Sequence, residues 1–164
     1  MLEHLLAAMT PENREIMRLG MDYGMRVGDI VAIPYDAPDR TRYAYREEKT
    51  GKRRVVKFSE RHKETLKSFR YGDYCFPHRT DPTKHRTRQA VWADLRRISK
   101  AFRLAHVSPH SARKLYAVEF YRRCGSLERV AARLNHSDPA VTALYALADQ
   151  LTIQNRPPKK KGKA

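Results

Sequence analysis

The stretch that decides the fold class is RTRYAYREEKTGKRRVVKF, Arg40 to Phe58. Within it Arg42-Tyr43-Ala44-Tyr45-Arg46 alternates in character, and Arg54-Val55-Val56-Lys57-Phe58 does so more loosely. Lys49-Thr50-Gly51-Lys52 lies between the two runs. Alternation places successive side chains on opposite faces of a strand, and a Gly-bearing turn joins two such runs, so the segment predicts an antiparallel β-hairpin.

On both sides of the hairpin the period changes to that of helices. Thr10-Pro11-Glu12 combines a capping hydroxyl, a proline suited to the first turn and an early acid. Ile16, Leu19 and Tyr23 follow at helical spacing, and Gly24 ends the segment. A second, short helix is expected from Val27 to Ile33, closed by Pro34. After the hairpin, Ser59 caps a helix reaching Phe69, and Asp73 to Pro77 reads as a short extended piece. A basic loop with Lys84, His85, Arg86 and Arg88 leads into a helix whose Val91, Leu95, Ile98 and Phe102 share a core face. Ser108-Pro109 opens the next helix and Gly125 closes it; Ser126 and Ser137 cap two more, ending near Leu134 and just past Tyr145. The expected fold class is α+β, mostly helical, with a small antiparallel sheet on one edge. Residues 1–155 are expected to form one domain, and residues 156–164 a basic, disordered tail.

The chain has 164 residues, 41% of them apolar and 32% charged, so a core and a heavily ionised surface are both possible. Its 34 Lys and Arg against 18 Asp and Glu leave a net charge of +16. Such an excess repels itself in the compact state and selects a polyanion as partner. Nucleic acid is favoured over a membrane surface, since the charge is spread along the chain and not gathered on one amphipathic helix. Cys75 and Cys124 lie far apart without metal-ligand spacing, which fits a reduced compartment. The opening Met1 to Leu6 is too short and polar for a signal peptide, and no apolar run approaches the roughly 20 residues of a membrane span. A cytoplasmic, nucleic-acid-associated protein is expected.

Five segments carry the chemistry: Gly24-Met25-Arg26-Val27-Gly28-Asp29-Ile30, Glu48-Lys49-Thr50-Gly51-Lys52-Arg53-Arg54-Val55, Pro109-His110-Ser111-Ala112-Arg113-Lys114, Leu134-Asn135-His136-Ser137, and Leu144-Tyr145. Singly, each is common in proteins of no related function. Together, in order, they resemble the boxes of the tyrosine recombinase, or phage integrase, family. The intervals match as well: 23 residues from Arg113 to His136 and nine from His136 to Tyr145. The resemblance spans roughly residues 10–148.

The resemblance implies a DNA strand-exchange enzyme that works without metal, ATP or other cofactor. It assigns six catalytic positions. Arg26 and Arg113 clamp the non-bridging phosphate oxygens, which planar guanidiniums match bidentately. His110 and His136 add hydrogen bonds, and one of them takes the proton from Tyr145; the choice stays open. Tyr145 attacks phosphorus and holds the 3′ end covalently. Lys49 is the general acid for the departing 5′ oxygen. Arg86, Arg88, Lys52 and Lys114 are expected to contact DNA. Asp29, three positions after Arg26, either orients that guanidinium or is an ordinary first-turn acid.

Three positions depart from the family pattern. Lys114 stands where a His is usual, Asn135 where Gly is usual, tightening a turn, and Ala112 where Leu is usual, with an expected loss of packing. Only nine residues precede Thr10, fewer than the N-terminal clamp module most relatives carry would need. Self-association on DNA is expected, with or without accessory DNA-bending proteins. Two alternatives remain at this point, a type IB topoisomerase and a non-catalytic DNA-binding protein of the same fold. His110 speaks against the first, since topoisomerases more often have Lys there, and the complete catalytic set speaks against the second.

Overall fold

The computed structural model describes residues 2–104 and 107–135 of the chain. In order these form α1 (Leu2–Ala7), α2 (Pro11–Tyr23), α3 (Val27–Val31), a 3-10 turn (Ala37–Asp39), β1 (Tyr43–Arg46), β2 (Arg53–Val56), α4 (Glu60–Phe69), α5 (Arg88–Ala101), α6 (Pro109–Cys124) and α7 (Leu127–Arg133). The fold is α+β and mostly helical, with one two-stranded antiparallel sheet. The chain divides into two compact units, residues 1–116 and 117–164, with the boundary inside α6. The expected helix capped by Ser137, and the tail, lie outside the described residues.

In the first unit, α2 separates two apolar clusters. Ile16 and Leu19 join Ile30, Val31, Ile33, Val56, Phe58, Leu66, Phe76 and Val91 on one side. Met17 joins Leu5, Leu6, Met9, Leu95, Ile98 and Ala112 on the other. The first cluster seats the hairpin through Tyr43, Val56 and Phe58; the second seats α1, a helix the sequence reading did not anticipate. The strands pair Tyr43 with Val56 and Tyr45 with Arg54. Tyr43, Tyr45 and Glu47 therefore share the inward side with Arg54 and Val56.

Several local signals act as read. Ser59 and Ser126 accept N–H bonds from His62 and Arg129 and cap α4 and α7. Gly24 ends α2 in the left-handed region, φ 62°, where glycine pays no steric penalty, and its N–H returns to the Gly20 carbonyl at 3.0 Å. Three expectations are corrected. The Thr10 hydroxyl does not cap its own helix; both it and the Thr10 N–H bond to Asp94 of α5, at 3.3 and 3.1 Å. The half-buried Asp94 carboxylate outcompetes local capping by accepting from Asn13 at 2.9 Å as well. Phe102 is 42% exposed, because α5 ends at Ala101 and its periodicity stops there. The helix after Gly24 closes at Val31, short of Ile33, whose carbonyl instead bonds Cys75 N–H at 2.9 Å.

Ala112 does not leave the packing loss expected of it. A Cβ on Gly20 would come within 2.9 Å of the Ala112 Cβ, so the two small residues allow α2 and α6 to approach closely. In the second unit, Asn135 adopts φ 53°, a conformation glycine takes freely and asparagine tolerates.

Candidate active site

The C-terminal end of α2 presents carbonyls with no helical partner. Arg54 of β2 donates to Tyr23 O and, at 3.0 Å, to Gly24 O. Arg113 of α6 donates to the same Gly24 O at 2.6 Å. The negative end of the helix thus receives two guanidiniums, as its dipole favours. Arg26 stands two residues further on, as the extended N-cap of α3.

A single carboxylate lies among these arginines. Glu47, with its side chain fully buried, pairs through Oε2 with Arg26 Nη1 at 2.6 Å. Its Oε1 lies 3.4 Å from Arg54 and 3.9 Å from Arg113. Thr50 Oγ1 donates to Glu47 Oε2 at 2.7 Å. Burial alone would raise the Glu47 pKa, but the bonds from Thr50 and Arg26 and the neighbouring guanidiniums hold it below the usual range, so it is ionised. Burial, then repulsion from Arg26 and Arg54, pushes Arg113 down to about 10, which leaves it charged at neutral pH. Three cations face one anion, and the surplus is positive.

Beside this cluster a cleft of about 380 Å³ is lined by Arg26, Val27, Gly28, Asp29, Glu48, Lys49, Arg88 and His110. Three residues marked in the sequence as catalytic therefore meet on one wall system. Arg113, one helical turn after His110, is buried, 3% exposed. His110 keeps solvent access at the cleft mouth, yet its pKa is lowered, first by partial desolvation and then by Arg113, Lys114, Arg26 and Lys49. A neutral imidazole at pH 7 follows, the form that accepts a proton. His136 and Tyr145 lie outside the described residues.

Asp29 is the first-turn acid of α3, the second of the two parts considered for it. Its Oδ1 accepts the Glu48 N–H at 2.9 Å, tethering the hairpin loop to α3. Burial raises its pKa ahead of all other influences. Lys49 is exposed, between main chain anchored by Asp29 and the Thr50–Glu47 bond. Of the residues expected to meet DNA, Arg88 is exposed in the cleft, 3.6 Å from Glu48. Lys52 and Lys114 are exposed outside it. Arg86 is instead half-buried against α2, 3.3 Å from Asn13 and 3.7 Å from Glu12.

Glu47 and Arg54 escaped the sequence reading. A signal existed: with Tyr43 and Tyr45 inward, period two puts Glu47 inward, and Arg54 opposite Tyr45 shares that face. An inward Glu and an inward Arg on one hairpin imply a buried pair. Among the described residues, no group of three His, Cys, Asp or Glu side chains is placed to hold a metal ion, and no helix is long and apolar enough to cross a membrane.

The model of the phage integrase family matches residues 1–151. A probable integrase/recombinase of Bacillus subtilis (strain 168), YoeC, is 27% identical over 140 residues, covering 82% of this chain and 77% of the relative. Among solved structures, the XerA recombinase superposes with a TM-score of 0.69 at 20% identity, covering 94% of this chain and 63% of that one. A lambda integrase dimer bound to a COC′ core site gives a TM-score of 0.68 at 18% identity, covering 98% and 48%. The chain spans less than two thirds of the length of these solved proteins.

Proposed function

Since the chain belongs to the phage integrase family, we propose that it breaks and rejoins duplex DNA through a 3′-phosphotyrosyl bond at Tyr145. The observation that carries this reading is the meeting of Arg26, Lys49 and His110 on one cleft, backed by buried Arg113 and a surplus of positive charge. In-line attack builds charge on the non-bridging oxygens, and preorganised guanidiniums stabilise it without reorganising at the moment of reaction. The Tyr145 oxygen bonds to phosphorus as the bond from phosphorus to the 5′ oxygen breaks. His110 or His136 takes the tyrosine proton, and the Lys49 ammonium protonates the leaving oxygen. Rejoining reverses each transfer, so the bond energy is conserved and no nucleotide is consumed.

Arg88, Lys52 and Lys114 contact phosphates in this reading, and Arg86 contributes through the scaffold. The solved lambda integrase relative is a dimer on its core site, and the same self-association on DNA is proposed for this chain. The test uses a nicked duplex, chosen from a randomised pool for the fastest covalent trapping, from which the short strand bearing the newly freed 5′-hydroxyl escapes after cleavage. The wild type forms an adduct that peptide mapping places on Tyr145, and Tyr145→Phe forms none while binding the duplex equally. An adduct mapped to a different residue refutes the assignment.

A further inference from the structure

We propose that Glu47 is a positioning residue: its carboxylate sets the spacing of Arg26 and Arg113 and ties the hairpin loop that carries Lys49 to that pair. The inference rests on reading Arg26 and Arg113 as the phosphate clamp. The three arginines come from separate elements, the α3 N-cap, β2 and α6, while the carboxylate enters from the loop after β1. Arg54 and Arg113 have main-chain anchors on Gly24. Arg26 has no comparable anchor among the bonds described, and Glu47 at 2.6 Å is its paired acid. The direction of the Arg26 guanidinium therefore depends on Glu47 more than that of Arg113 does.

Both carboxylate oxygens are committed. Oε2 serves Arg26 and Thr50, and Oε1 faces Arg54 and Arg113. Through Thr50, the residue next to Lys49, the same carboxylate fixes the turn. Glu47 main chain closes that turn as well, its N–H bonding Lys52 O at 3.0 Å and its carbonyl accepting Gly51 N–H at 2.8 Å. A charge that only neutralised arginines would tolerate a shorter side chain. One that sets geometry would not, since a displacement of about 1 Å in a catalytic group can cost on the order of 10²-fold in rate.

Glu47→Asp keeps the charge and withdraws the carboxylate by one methylene, and Thr50→Val keeps the carboxylate and removes its tether to the loop. Each is compared with wild type for melting temperature, duplex affinity and single-turnover adduct formation, on ordinary DNA and on DNA with sulfur at the bridging 5′ position. Glu47→Asp is expected to bind within about threefold of wild type and to form adduct on the order of 10–100-fold more slowly, with sulfur recovering only the part lost through Thr50. Thr50→Val is expected to be roughly 3–10-fold slower, with sulfur restoring much of the loss, because it disturbs delivery of the proton. If Glu47→Asp does not fold, Thr50→Val carries the test alone. A wild-type rate in either folded variant, or a defect confined to affinity, overturns the proposal. Failure of the wild type to form any adduct at Tyr145 removes the reading beneath it instead, and the two failures are told apart by that control.

Discussion

Arg113 donates to the carbonyl of Gly24 at 2.6 Å, joining positions 89 residues apart in the chain. The bond is possible because Gly20 and Ala112 let α2 and α6 approach, and because Gly24 turns the chain at the end of α2. Helix packing and clamp geometry are thus one problem.

Gly20→Ala tests that link. Alanine gains about 0.8–1 kcal/mol of helix propensity, but its Cβ would meet Ala112 at 2.9 Å, and overpacking costs about 1–3 kcal/mol. A net loss of about 1 kcal/mol is expected in urea unfolding, with slower adduct formation as Gly24 O moves from Arg113. Adding Ala112→Gly should restore the rate. Equal stability and equal rate in the single variant would show that the helices part without consequence.

A second expectation concerns pH and lies away from the cleft. His62 is 3% exposed, held between Glu15 and Asp22, the latter at 2.8 Å. Burial opposes its charge, but the bonds it donates to Asp22 and Glu15 prevail and raise its pKa to about 9 from 6.5. Since the folded value is the higher, the stabilisation is complete below pH 6.5 and is lost as pH rises through about 9. Its size is on the order of 3 kcal/mol, at about 1.36 kcal/mol per pKa unit. Unfolding between pH 6 and pH 9.5 should show that decline, and His62→Gln should flatten it. A wild type equally stable across the range would mean that His62 is neutral in the fold.

Lys49 is tested by its leaving group. Lys49→Ala should bind DNA nearly as well as wild type and cleave it very slowly. A thiol like that of Cys has a pKa of about 8.5 and water one of about 15.7, so a bridging 5′ sulfur can depart without a proton. Sulfur should restore cleavage in Lys49→Ala and not in Arg26→Ala or Arg113→Ala. Rescue of all three alike, or of none, would pass the role to Lys52 in the same turn.

Binding should be dominated by phosphates. With a net charge of +16, affinity should fall steeply with salt and discriminate poorly between sequences. Removing residues from Lys159 onward should weaken all duplexes alike and make the salt slope shallower. A strong, salt-insensitive preference for one sequence would show base readout in place of phosphate contact.

Local chemistry made much of this legible in the chain itself. The hairpin, the helices started by Ser59 and Ser108-Pro109 and the stop at Gly24 depend on residues close to one another in the chain, and the five motifs are read from their order along it. Spacing along the sequence therefore reports them. What only the tertiary structure decided is where distant groups meet: Asp94 taking the N-terminus of α2, Asp29 binding the hairpin main chain and not Arg26, and Arg86 drawn onto α2. The same holds for Glu47 among Arg26, Arg54 and Arg113. The physical reason is competition. A buried charge or polar group takes the partner whose pairing best offsets its desolvation, and that partner is set by the packing of α2, α3, α6 and the hairpin, not by distance along the chain.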